Sequence, residues 1–189
     1  MRFPVLVALL AAGACTASEP AAPSCDLDTE IDAAIDAARA NPGGPLALVA
    51  CPVDPEVSQG APVRVRVALV NVADAAVEIR SSFAFGAWLH ASITGPAGDV
   101  LEPLAHVDSQ VGPRKMLAPG ESVRGEVDLR CAVQAVASPA SQGQELYRFD
   151  SLGEYRISMR YSYRCEDAPC PVGTKMETLT APEFRIEVK

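Results

Sequence analysis

The residues with the richest chemistry in this chain are its six cysteines, at positions 15, 25, 51, 131, 165 and 170. Thiolates bind soft metals, attack as nucleophiles or oxidise in pairs, and spacing and redox surroundings decide which of these applies. Cys165 and Cys170 stand close enough to close a small loop, and as an alternative they supply half of a zinc site. Zinc requires two further ligands and surroundings that keep thiols reduced. Other metal ligands are scarce. The two histidines are His90, inside an alternating run, and His106, in a polar stretch, and neither stands at a metal-ligand spacing. Adjacent carboxylates such as Glu166 and Asp167 read as a solvated turn, and no nucleophile elbow, phosphate-cradling glycine loop or dinucleotide fingerprint occurs. A catalytic site would have to be assembled from scattered residues, so the expectation is a non-enzymatic protein with no metal and no cofactor.

The N-terminus sets the redox surroundings. Met1-Arg-Phe-Pro carries one positive charge, Val5 to Ala12 is apolar, and Ala12-Gly-Ala-Cys15 follows. The apolar run is far shorter than the roughly 20 residues that span a bilayer, which makes it an export signal rather than an anchor helix. This stretch resembles bacterial lipoprotein precursors, whose lipobox ends in a small residue before the cysteine that receives the lipid. The resemblance covers residues 1–15 and departs from the usual pattern at Ala12, where leucine is commonest. It implies lipidation of Cys15, attachment to a membrane through that lipid and residence in the bacterial cell envelope. The alternative is an ordinary cleavage after Ala12-Gly-Ala14, which would release a secreted, soluble protein. Residues 1–14 are thus expected to be a signal peptide, and residues 15–25 the anchor cysteine and a flexible, Pro-containing tether. Export favours a Cys165–Cys170 disulfide over zinc.

Charge narrows the partners. The chain has a formal net charge of -8 and a pI near 4.8, and its Lys and Arg residues are not clustered. Nucleic-acid binding by counterion release needs such a cluster, so no nucleic-acid partner is expected.

The elements that would position these residues follow from periodicity. Leu27, Ile31, Ala34, Ile35 and Ala38 recur at helical spacing, Asp26 can cap the start and Asn41-Pro-Gly-Gly44 stops the run, which predicts a short helix and linker over residues 26–44. Asp28, Asp32 and Asp36 line its other flank; a straight helix does not converge carboxylates on calcium, so this is a solvated face.

From residue 45 to 189 the period changes to two. Strands are predicted over 46–53, 63–69, 76–81, 88–94, 99–104, 121–129, 154–164 and 181–188, with turns at Asn71 to Asp74, Gly95-Pro-Ala-Gly98 and Leu117-Ala-Pro-Gly-Glu121. Short strands at this spacing specify an all-β fold, an immunoglobulin-like antiparallel β-sandwich of about seven strands preceded by the one helix. Asp150-Ser-Leu-Gly-Glu-Tyr155 resembles the tyrosine corner of such domains, in which the tyrosine hydroxyl returns to the upstream backbone. GAPVRVRVALVN, LAPGESVRGEVDL and LGEYRISMRY are similar to bacterial immunoglobulin-like extracellular domains, among them small β-sandwich proteinase inhibitors. These motifs mark turns and strands and assign no functional residue.

Direction pairs the remaining cysteines. In an alternating sandwich the strands ending near Cys51 and Cys131 run the same way, so a Cys51–Cys131 bridge is expected, closing about 80 residues for roughly 4 kcal/mol of stabilisation. Its rival is Cys25–Cys51, which would staple the helix to the first strand. Two connections invite a binding role: residues 105–116, where Arg114 and Lys115 could meet a protease or an acidic partner, and the long small-residue stretch 132–150. Phe83, Phe85 and Trp88 form the aromatic concentration, expected to pack in the core or at an edge. The expected function is a lipid-anchored envelope protein whose domain binds another, unknown protein or supports an assembly; the alternative is a secreted or surface proteinase inhibitor acting through a loop, and a distant third is an enzyme with a site built from scattered residues.

Overall fold

The computed structural model describes residues 26–40, 44–80, 89–104, 114–130, 146–164 and 176–189. The leader, Cys15 and its tether, Cys25, Phe83, Phe85, Trp88, His106, Cys131, Cys165 and Cys170 lie outside the described residues, as do residues 105–113 and 131–145.

The chain opens with helix α1 (Leu27–Ala40), followed by strands β1 (Leu46–Pro52), β2 (Glu56–Val57), β3 (Arg64–Asn71), β4 (Val77–Arg80) and β5 (Leu89–Thr94). Then come β6 (Val100–Leu101), β7 (Arg114–Leu117), β8 (Ser122–Asp128), β9 (Gly153–Arg164), β10 (Met176–Thr180) and β11 (Phe184–Val188). A three-stranded antiparallel sheet has the order β1-β3-β8, and a six-stranded sheet has the order β2-β11-β9-β5-β6 with β10 also on β9. β4 and β7 form a separate antiparallel pair. The architecture is the expected all-β sandwich with one N-terminal helix, but with more strands than sequence patterning marks. The additions are short: β2, β7 and β10 fall outside the predicted set, and β2 pairs with β11 in parallel rather than antiparallel.

Alternation explains the core. Val65, Val67 and Leu69 of β3, Val127 of β8, Leu89 and Ile93 of β5, and Tyr155, Ile157, Met159 and Tyr161 of β9 all join one buried cluster, so the two larger sheets pack face to face. Each such aliphatic side chain contributes on the order of 1.5–3 kcal/mol when removed from water. Leu146, Tyr147 and Phe149, from the end of the connection after β8, are buried in the same cluster. Tyr147 donates its hydroxyl hydrogen to the Ala91 carbonyl at 3.0 Å, and the Phe149 ring meets Tyr155 edge-on at 5.0 Å. Leu146, Tyr147 and Phe149 therefore belong to the core, while Arg148 and Asp150 between and after them stay exposed.

The turn chemistry is as patterned. Ala118-Pro-Gly-Glu121 closes with Glu121 N–H donating to the Ala118 carbonyl, and Gly120 takes the left-handed φ of 76° that a Pro-Gly turn of type II requires. The tyrosine corner is present: the Tyr155 hydroxyl donates to the Ser151 carbonyl at 2.9 Å and accepts from the Ser151 N–H at 3.1 Å. Asn71 is fully buried at the end of β3. Its side-chain amide donates to the carbonyls of Ala75 and Leu117, and its oxygen accepts from the Ala73 N–H. One side chain thereby ties the β3 end to the β4–β7 pair.

Helix α1 lies on the outer side of the three-stranded sheet. Leu27 and Ile31 are buried against Val49, Cys51, Ala68 and Val70. These four residues alternate with the inward set of β1 and β3, so both faces of that part of the sheet are apolar and covered. Asp26 caps the helix as predicted, accepting from the N–H groups of Asp28 and Thr29 and from the Thr29 hydroxyl at 2.7 Å. These bonds, the Thr29 hydroxyl first, hold its carboxyl below the usual range. Asp28 at the first turn pairs with Arg124 of β8.

Candidate interaction surface

The outward face of the six-stranded sheet is built by the residues that β9 leaves between its buried ones. Tyr155, Ile157, Met159, Tyr161 and Tyr163 point into the core, which sends Glu154, Arg156, Ser158, Arg160 and Ser162 outward. β5 contributes His90, Ser92 and Thr94 opposite Arg160, Ser158 and Arg156. β10 sets Thr178 opposite Ser162 and Thr180 opposite Arg160, and β11 sets Arg185 opposite Arg156. Ser162 and Thr178 share a hydrogen bond of 3.0 Å across the strands.

The charges on this face are unevenly placed. Glu154 and Glu187 stand opposite each other at one end, where Arg185 pairs with Glu154 at 3.2 Å. Arg156 faces Arg185 directly, and like charges opposite each other across two strands are destabilising unless an anion satisfies them. Arg156 is exposed and forms no ion pair with any described residue. Arg160 lies four residues further along β9, roughly 13 Å away on the same face. Beside it, the His90 imidazole is pushed below its ordinary pKa by burial first and by the Arg160 charge second. The result is a sheet face of hydroxyls carrying exposed guanidinium groups, on a chain whose formal net charge is -8. Guanidinium forks bind carboxylates in two-point geometry, which gives such a face a chemical preference for acidic groups.

The basic residues expected in a loop sit elsewhere. Arg114 and Lys115 belong to β7, paired with β4. Arg114 reaches Glu78 at 2.7 Å and Lys115 reaches Glu121 at 3.0 Å, so both charges are matched locally. The sequence signal for this was Arg114-Lys-Met-Leu117, a short run ending in a buried Leu117 just before the turn. The predicted site residues are thus not gathered in one place: Arg114 and Lys115 lie on the small sheet, Cys51 under the helix, and Cys15, Cys131, Cys165 and Cys170 outside the described residues.

Cys51 is disulfide-bonded and buried, and its partner lies outside the described residues. It borders an open cleft of about 460 Å³ between the start of α1 and the end of β1, lined also by Asp26, Thr29, Glu30 and Phe184. Among the described residues, no three His, Cys, Asp or Glu side chains are grouped as metal ligands, and no helix is long and apolar enough to cross a membrane. Compared with protein families and with curated proteins, the chain shows no match.

Proposed function

We propose that this chain is a non-enzymatic, lipid-anchored protein of the bacterial cell envelope whose β-sandwich binds an acidic protein partner through the outward face of the six-stranded sheet. The single observation that carries the binding reading is that Arg156 and Arg160 stand exposed on one sheet face with no ion pair to any described residue. Arg185 is matched by Glu154, whereas Arg156 and Arg160 form no ion pair with a described residue, and such exposed guanidiniums favour a partner that neutralises them. The anchor reading is supported by the Ala12-Gly-Ala-Cys15 lipobox resemblance and by the small-residue stretch that follows it.

Both parts have direct tests. A photo-crosslinking amino acid at Ser158, the centre of the face, should trap a partner in native envelopes, whereas the same group at Glu126 on the other sheet should not. Equal trapping at both positions, or at neither, removes the binding face. For the anchor, Cys15→Ser should move the protein from the membrane fraction to the soluble one; retention in the membrane would show that lipid on Cys15 is not what holds it.

A further inference from the structure

We infer that the cleft between the start of α1 and the end of β1 binds a lysine or arginine side chain carried by an extended segment of another protein. The site is independent of the arginine face and takes a ligand of the opposite charge.

Its walls come from three elements that the fold brings together from distant parts of the chain. The first turn of α1 supplies Thr29 and Glu30, the end of β1 supplies Ala50 and Pro52, and the step from β10 to β11 supplies Glu183 and Phe184. At about 460 Å³ the opening has room for a long side chain, and it falls in the range, roughly 300–1,000 Å³, of clefts that bind ligands.

The hydrogen-bond inventory selects the ligand. Among the side chains lining the cleft only the Thr29 hydroxyl has a hydrogen to donate, and it gives that hydrogen to Asp26 at 2.7 Å. The N–H groups of Thr29 and Glu30 are also spent on Asp26, and Pro52, Pro55 and Pro182 have no N–H at all. The cleft side chains therefore offer acceptors, and a ligand must bring the donors. Lysine brings three and arginine five, and neither carries an acceptor.

Charge points the same way. Glu30 and Glu183 stand on different elements and form no ion pair with a described residue, whereas Glu56, Glu78, Glu121 and Glu154 each meet a Lys or Arg. With Asp26 there are three carboxylates, which outweigh the roughly +0.5 charge of the helix N-terminus, so the cleft attracts cations and repels anions. The rest of the wall is apolar. Ala50 and the prolines suit the methylene stem of a basic side chain, and Phe184 adds a half-buried aromatic ring, which attracts a cation lying over its face. Because the cleft is open, a free amine would be held by little more than charge screened by water and salt. A segment running across the prolines adds the contact that a free amine lacks.

The test is titration of the full-length, isotope-labelled chain with the capped peptide Ala-Ala-Arg-Ala-Ala, followed through its amide NMR shifts. Saturable shifts are expected at Thr29, Glu30, Glu183 and Phe184, and none at Arg156 or Arg160. The same peptide with citrulline keeps the shape and loses the charge, and it should bind about tenfold more weakly. The arginine peptide should lose a similar factor against the double variant Glu30→Gln with Glu183→Gln. Both glutamates are exposed, so the variant should fold as the natural chain does, which unchanged shifts away from the cleft would verify. Agmatine, a free guanidine on a methylene stem, should also bind more weakly than the peptide. Shifts that do not saturate, that centre on another surface, or that are the same with citrulline or in the double variant overturn the inference. Agmatine binding as tightly as the peptide overturns it too, since the ligand would then be a small cation rather than a protein segment.

Discussion

Asn71 shows how much one side chain can decide. Sequence marks it as a turn residue, which it is, but burial and the reach to Leu117 depend on a contact across the fold that no local pattern encodes. Replacing it with Ala would leave the Ala75 and Leu117 carbonyls and the Ala73 N–H without their partner in a dry site. Asn71→Ala should therefore lower stability by about 3 kcal/mol in urea unfolding, and Asn71→Asp by at least as much, because it sets a carboxylate against two carbonyl oxygens. Asp128 makes the opposite case. Burial raises its pKa above the ordinary 3.8, outweighing the N–H bonds from Arg130 and Val63 that act to lower it. A carboxyl whose folded pKa is raised stabilises the fold below its unfolded pKa and loses that contribution as pH rises through the folded value. Asp128→Asn keeps an oxygen for both N–H donors without the buried charge. The variant and the natural chain should thus be equally stable well below pH 4, and the variant should gain relative to it as pH rises above that, read by thermal unfolding across pH.

At the scale of elements, the expected outcome depends on which contacts are local. Helix α1 is legible from sequence because its cap, its apolar spacing and its stop all lie within one stretch, and its 14 residues match the prediction closely. That length is marginal for an isolated helix, so its persistence depends on Leu27 and Ile31 reaching the sheet. Ile31→Ala should cost about 2–4 kcal/mol and raise hydrogen exchange through α1 while the β9 amides stay protected; uniform protection of both would show that the helix does not depend on this contact. The long strands β3, β8 and β9 were legible for the same reason, as was the tyrosine corner. β2, β7 and β10 were not, because two to five residues carry too little alternation and their partners are distant in sequence. Leu146-Tyr-Arg-Phe149 held a readable signal, three large apolar side chains at the end of a polar stretch, and the Tyr147 contact with β5 and the Phe149 contact with β9 explain them. The arginine face was visible only as the wet side of a strand, since the opposition of Arg156 and Arg185 requires the register of β9 with β11.

The whole molecule separates two surfaces. Helix α1 covers the outer side of the three-stranded sheet, and the arginine face is the outer side of the other sheet, with the shared core between them. Reversing both charges, Arg156→Glu with Arg160→Glu, alters exposed side chains on a solvated face, and unfolding should change by no more than about 0.5 kcal/mol. Binding should respond much more, because the reversal sets like charges against an acidic partner at a cost of several kcal/mol. Crosslinking from position 158 is expected to fall at least tenfold in the double variant. In the natural chain it should also weaken as salt rises from 50 to 500 mM, since the interacting charges are exposed and screening shortens their range. Crosslinking that persists unchanged in the variant would mean that the partner is held by the hydroxyl platform or by another surface, and the arginines would then have no part in recognition.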